Sequence, residues 1–138
     1  MRFSEYTYFN PSRHHIVELP FGTFYFCEKF FVSELNEGVH FSWKMIEQVI
    51  DEIYKFYGSK PNLGYISNRI NSYSMDPRSW DRVHNEYGFI VASAIVSYNN
   101  LTFMNATLEK HFSSKSIKRS ERLSDATDWI LNLKELKA

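Results

Sequence analysis

The chain has a single cysteine, Cys27, and five isolated glycines among 138 residues. A lone thiol cannot close an internal disulfide, and the start of the chain lacks a basic-then-apolar leader, so the expected compartment is the cytoplasm. The glycines stand at 22, 38, 58, 64 and 88. Their isolation excludes phosphate-cradling loops, a dinucleotide fingerprint and a nucleophile elbow. Charge of one sign is also missing. Sixteen basic and sixteen acidic side chains cancel, which removes the long-range field that nucleic-acid binders use, so no nucleic-acid partner is expected. No apolar run approaches the roughly 20 residues of a membrane span, so no transmembrane segment is expected. Ligand spacing is absent as well: His14 and His15 are neighbours in a predicted strand and point to opposite faces, and His40, His84 and His111 stand in no metal-site pattern with Cys27 or carboxylates. Neither a metal nor a cofactor is expected.

Aromatic side chains are abundant, at 17% with twelve Phe and nine Tyr. Each supplies a large buried area, so the core should be aromatic-rich, and any surplus left exposed would mark a partner surface or a homodimer contact. The length suits one domain with a real core. Residues 1–12 show neither strand alternation nor helical spacing and read as a flexible N-terminal arm ahead of a single domain over 13–138.

Within that domain the opening is β-rich. His15 to Leu19, Thr23 to Cys27 and Phe30 to Leu35 are dominated by β-branched and aromatic residues and predict an antiparallel hairpin or meander. Ser42 then caps a first helix, with Phe41 and Ile46 as a staple, a stripe of Ile46, Val49, Ile50, Ile53 and Tyr57, and Gly58 as its stop. A strand from Leu63 to Asn68 follows, then Asp76 as the cap of a second helix with Pro77 at its first position. Phe89 to Tyr98 is a continuous apolar run, expected to be a central strand buried on both faces. Leu101, Met104, Leu108 and Phe112 predict the buried face of a third helix, Ile117 sits in an edge strand, and Leu123, Ala126, Ile130 and Leu133 face inward from a fourth helix. This order predicts an α/β fold: a mixed sheet of about five strands with four helices, a parallel core and an antiparallel N-terminal hairpin.

Particular segments carry a resemblance: Phe21-Gly22-Thr23-Phe24 in the opening strands, Glu34-Leu35-Asn36-Glu37-Gly38-Val39-His40-Phe41 entering the first helix, and Leu123 to Ala126 followed by Trp129-Ile130. With the element order, they make residues 13–133 resemble the STAS domain, the fold of bacterial anti-sigma-factor antagonists, and more closely its SpoIIAA-like relatives. The resemblance implies a non-enzymatic regulatory or binding module. In phosphorylatable members, the loop after the strand equivalent to Leu63 to Asn68 carries an aspartate followed by an acceptor serine. Here Asp76 matches the aspartate and Pro77 stands in the serine's place. The location of the interaction surface therefore carries over, and the phosphorylation switch does not.

The sheet order puts three turns on one rim: 36–40, 68–76 and 98–100. In open α/β sheets, ligands and partners meet the crevice beyond the carboxyl ends of strands. Asn68, Arg69, Asn71, Ser72, Tyr73 and Asp76 in the second turn, with Glu37 and His40 in the first, form the candidate binding set. The Arg69 guanidinium can fork onto a carboxylate or phosphate, or can instead pair with Glu37 as a structural anchor. Cys27 reads as a packed, inert thiol, and Met104 and Met45 as core filling. The expected partner is a protein or a small ligand. The alternatives are carriage of a lipid or other apolar molecule, and a small enzyme using His40 with Glu37 as base.

Overall fold

The structure is a computed structural model that describes residues 1–59, 61–111, 113 and 117–136. Strands β1 (His15–Leu19), β2 (Gly22–Phe26) and β3 (Phe30–Leu35) form the expected antiparallel meander. From β3 the sheet continues through β5 (Leu63–Arg69), β7 (Ile90–Ser97) and β8 (Ile117–Ser120), all parallel to β3, in the order β1-β2-β3-β5-β7-β8. Six strands take the place of the expected five or so. A two-stranded parallel clip, β4 (His40–Phe41) with β6 (Ser74–Met75), stands apart from this sheet. Four helices complete the fold: α1 (Trp43–Tyr57), α2 (Ser79–Glu86), α3 (Asn100–Lys110) and α4 (Leu123–Leu131).

The local signals for α1 hold in detail. Ser42 is extended at φ −74° and ψ 164° and its hydroxyl accepts the Met45 amide, while Ile46, Val49, Ile50 and Ile53 are buried and Gly58 ends the helix at φ +96°. The second helix starts later than expected. Asp76 does accept the Arg78 amide at 3.0 Å, but the chain first closes a turn with Ser79 N–H donating to the Asp76 carbonyl, and α2 begins at Ser79. Strand β7 is buried along its length as predicted, although it lies next to the edge strand β8 and not at the middle of the sheet.

Side-chain alternation along the strands sorts the core into two faces. Phe24, Phe26, Phe31 and Leu35 pack with the buried stripe of α1. Tyr25, Phe30, Val32, Ile66, Ala94 and Val96 pack instead with Leu123, Ala126 and Ile130 of α4. Ala106 of α3 joins Trp80, Ile95 and Ile117 on the first face.

Two expectations are overturned here. The first twelve residues are not a loose arm: Phe3 is fully buried in the second face's core, packed against Tyr25 and Phe30 with Tyr8 and Phe9 around it. The missing periodicity reflects a segment that wraps a surface with large rings and has a single 3-10 turn, Phe3–Glu5, too short to show a repeat. Helix α3 is also turned relative to its apolar stripe. Leu101, Met104 and Leu108 are 66%, 67% and 53% exposed, and the inward line is Thr102, Ala106 and Glu109. At 3.6 residues per turn these two lines lie about 130° apart around the axis. Met104 is therefore not core filling, and Phe112 lies outside the described residues.

Candidate functional site

Strands β3, β5 and β7 run parallel, so Leu35, Arg69 and Ser97 end on one rim and the three turns that follow them share it. The first two turns are zipped together by backbone and side-chain bonds. Gly38, at φ +77°, donates its N–H to the Ser72 carbonyl at 2.8 Å, a reversal that a residue with a Cβ resists. Ser74 N–H donates to the Val39 carbonyl at 2.9 Å, the Ser72 amide donates to Glu37 Oε2 at 2.9 Å, and Asn71 Nδ2 donates to the Leu35 carbonyl at 3.1 Å. Beside this zipper a cleft of about 320 Å³ opens toward α3. Glu37, Asn71, Ser72 and Tyr73 line it from the turns, Arg69 from the end of β5, and Leu101, Thr102 and Asn105 from the helix.

Five of the eight residues in the candidate set thus come together in the cleft, and three do not line it. Asn68 is buried beneath the N-terminal segment: its Nδ2 donates to Glu34 Oε2 at 2.7 Å and to the Met1 carbonyl at 2.9 Å, and its Oδ1 accepts from the Tyr98 hydroxyl at 2.6 Å. It anchors chain to chain. His40 is exposed and its Nδ1 meets Ser74 Oγ at 2.8 Å. Asp76 is held by its neighbour, with the Arg78 guanidinium at 2.8 Å, and these hydrogen bonds from Arg78 keep its carboxyl below the usual carboxylate range.

Arg69 is committed elsewhere. Its side chain is 4% exposed, and Nη1 and Nη2 donate to Glu109 Oε2 and Oε1 at 2.5 and 2.7 Å in a two-pronged pair. Its Nε donates to Ser67 Oγ at 3.1 Å, and its guanidinium lies 4.9 Å from the centre of the Tyr73 ring. Glu109 also accepts from Trp80 Nε1 at 2.8 Å. The anchoring role weighed for Arg69 is therefore realised, with Glu109 of α3 and not Glu37 as its partner. Glu37 spends one carboxylate oxygen on the Ser72 amide instead.

This pair also explains the orientation of α3. A buried guanidinium at the end of β5 requires a carboxylate facing it, and an unpaired buried charge costs several kcal/mol, roughly 3–5 when one partner is removed. Turning Glu109 inward forces Leu101, Met104 and Leu108 outward. The sequence carries a faint trace of this in the line Thr102, Ala106, Glu109 at helical spacing, but an acidic residue on a helix identifies its inward face only once its cation is known. Leu101, Thr102, Asn105 and Glu109 were therefore missed as members of the rim.

A second, apolar cavity of about 60 Å³ lies between α1, α2 and the sheet, lined by Phe31, Phe41, Ile50, Trp80 and Val83 among others. The Trp80 indole N–H and the Tyr65 hydroxyl, near it, are engaged by Glu109 and Ser33. Among the described residues no cluster of three His, Cys, Asp or Glu side chains could hold a metal ion, and no helix is long and apolar enough to cross a membrane.

No family model and no curated protein matches this chain. Among solved structures it is similar to an uncharacterized protein from the DUF3478 family with a SpoIIAA-like fold, from Shewanella loihica PV-4. The match has a TM-score of 0.53 and 14% sequence identity, and covers 85% of this chain and 91% of that chain. At that identity the likeness speaks for architecture alone. The meander feeding a parallel β3-β5-β7-β8 core, the four helices and this match together identify the chain as an α/β protein of SpoIIAA-like, STAS-type fold.

Proposed function

We propose that this STAS-like module is a non-enzymatic binding protein whose partner is a polypeptide seated across the rim cleft and the outward face of α3. The observation that carries the reading is the continuity of the two: Leu101 both lines the cleft and begins the exposed stripe that Met104 and Leu108 extend. The cleft end, lined by Glu37, Asn71, Ser72 and Asn105, and the apolar stripe that runs on from Leu101 together offer the mixture of apolar and hydrogen-bonding side chains that protein interfaces use. Leu101, Met104 and Leu108 stand more than half exposed on a helix whose inward line is Thr102, Ala106 and Glu109, which leaves them open to a partner. A partner presenting apolar side chains to the stripe and a hydrogen-bond donor to Glu37 fits this surface.

The test is quantitative capture of partners from the source cells with the wild-type protein and with Leu101→Glu/Met104→Lys, followed by binding of the purified partner. The variant should fold with an unchanged melting temperature and lose the partner by at least about tenfold, the effect of some 1.4 kcal/mol. Partners retained equally by both proteins would remove this face from the reading.

A second reading, carriage of an apolar molecule, is favoured by the 60 Å³ cavity under α1 and α2. That volume is well below the roughly 150 Å³ of an apolar cavity that admits benzene, so only a thin aliphatic end would enter without repacking. Native mass spectrometry of the purified protein decides it: a co-purifying mass supports carriage and a bare chain opposes it. The base chemistry weighed for His40 and Glu37 has less behind it, since no hydrogen bond joins the two among the described residues and each is engaged by a serine of the neighbouring turn.

A further inference from the structure

The N-terminal segment is held without a single ladder hydrogen bond to the sheet. Its backbone is gripped by side chains instead: the Phe3 amide donates to Glu34 Oε2 at 2.7 Å, and the Met1 carbonyl accepts from Asn68 Nδ2 at 2.9 Å, with the Tyr98 hydroxyl, which donates to Asn68 Oδ1, 3.3 Å away. Phe3 fills the box between, and the turn at Asn10 closes the far end.

That turn contains a proton-sensitive contact. The Asn10 amide donates to His14 Nδ1 at 3.0 Å. A backbone amide can only donate, so Nδ1 must carry its lone pair, the ring proton must sit on Nε2, and the imidazole must be neutral. A second proton would turn this acceptor into a donor aimed at another donor. The ring is also buried, stacked on Tyr8 at 5.5 Å and close to Phe9 and Phe3.

We propose that residues 1–9 form a releasable strap latched by neutral His14, and that acidification opens the strap and uncovers the Glu34, Asn68 and Tyr25 groove beneath it. Burial, the largest influence, pulls the His14 pKa below 6.5. Arg13 beside it acts in the same direction, and Glu28 across the turn, itself paired with Arg13, acts against it. Tyr8 is the remaining titratable group against the ring, and burial holds its hydroxyl protonated. The sign follows. A released segment takes up its proton near pH 6.5 and the latched one only lower, so latching is complete above that value and weakens as the pH falls below it.

Amide hydrogen exchange on the whole chain tests this. Between about pH 7.5 and 5, after correction for the intrinsic rate, protection of the Phe3 and Asn10 amides should fall, approaching tenfold per pH unit once the solution is below 6.5 and above the folded value. Amides of Ile66 and Ile95 in the central strands should keep theirs. His14→Gln keeps an acceptor and does not titrate, so its strap should show no such fall. In the wild type alone, nitrogen NMR of the ring should show the proton on Nε2 at neutral pH, a reading that does not depend on any variant folding. Protection of Phe3 that is flat with pH, an equal fall in His14→Gln, or a ring protonated on Nδ1 at neutral pH would each overturn the latch.

Discussion

Arg69 and Glu109 form a charged pair with side chains 4% and 6% exposed, and the physics of such pairs sets an asymmetric expectation. Arg69→Ala or Glu109→Ala should each destabilise the protein by about 3–5 kcal/mol in urea unfolding, because each leaves the other charge buried and alone. Replacing both together by Met and Leu should recover most of that loss, short of the hydrogen bond that Trp80 then lacks. Equal losses in single and double variants would mean the pair is not the anchor described. Cys27 offers a second check. It is 1% exposed and burial pushes its thiol up to about 12, so at mildly alkaline pH it should resist alkylation in the native protein and react fully in denaturant. The packed thiol is legible in the sequence, from its place at the end of an aromatic run, although β2 itself stops at Phe26. Arg69 as a charge of consequence is legible too, but its partner is not: Glu109 lies forty residues away, and no local pattern links a guanidinium on a strand end to one acid among sixteen.

At the scale of elements, α4 rests directly on β5 where Gly64 lies. A Cβ at that position would stand 2.7 Å from Ile130 Cγ2, a branched atom that cannot swing away. Gly64→Ala should therefore cost about 1–3 kcal/mol of stability, readable as a lower urea midpoint with an unchanged slope. On α3 the opposite holds. Met104→Lys should change stability by no more than about 0.5 kcal/mol, although periodicity alone marks the residue as core. The contrast between α1 and α3 shows what apolar spacing can and cannot determine. In α1 the stripe and the cap at Ser42 agree with burial because nothing charged competes for the inward face. In α3 an ion pair competes with three apolar side chains that stay partly covered on the outward face, so the roughly 3–5 kcal/mol of a stranded guanidinium is set against only a part of the ~1.5–3 kcal/mol that full burial of each would contribute. The clip of β4 with β6 leaves no trace in the sequence for another reason: two-residue strands carry no periodicity.

Across the whole molecule, the two faces of the sheet are stitched to the same strands, with Phe24 and Phe26 on one side and Tyr25 on the other. Loss of either face exposes the backs of the strands that the other needs. Near neutral pH, tryptophan fluorescence and far-ultraviolet circular dichroism should report one coincident unfolding transition, and separate midpoints would mean the faces come apart independently. The α/β layout and the shared rim of the three turns follow from the order of the elements, because a parallel core fixes which strand ends face the same way. The contribution of residues 1–12 does not, since their rings find partners only after Tyr25 and Phe30 have been brought together. The grip on Met1 and Phe3 has a wider corollary. Glu34 near the end of β3 binds the Phe3 amide, Asn68 near the end of β5 binds the Met1 carbonyl, and Tyr98 just after β7 binds Asn68, so a change that displaces these first residues frees the ends of three neighbouring strands at once.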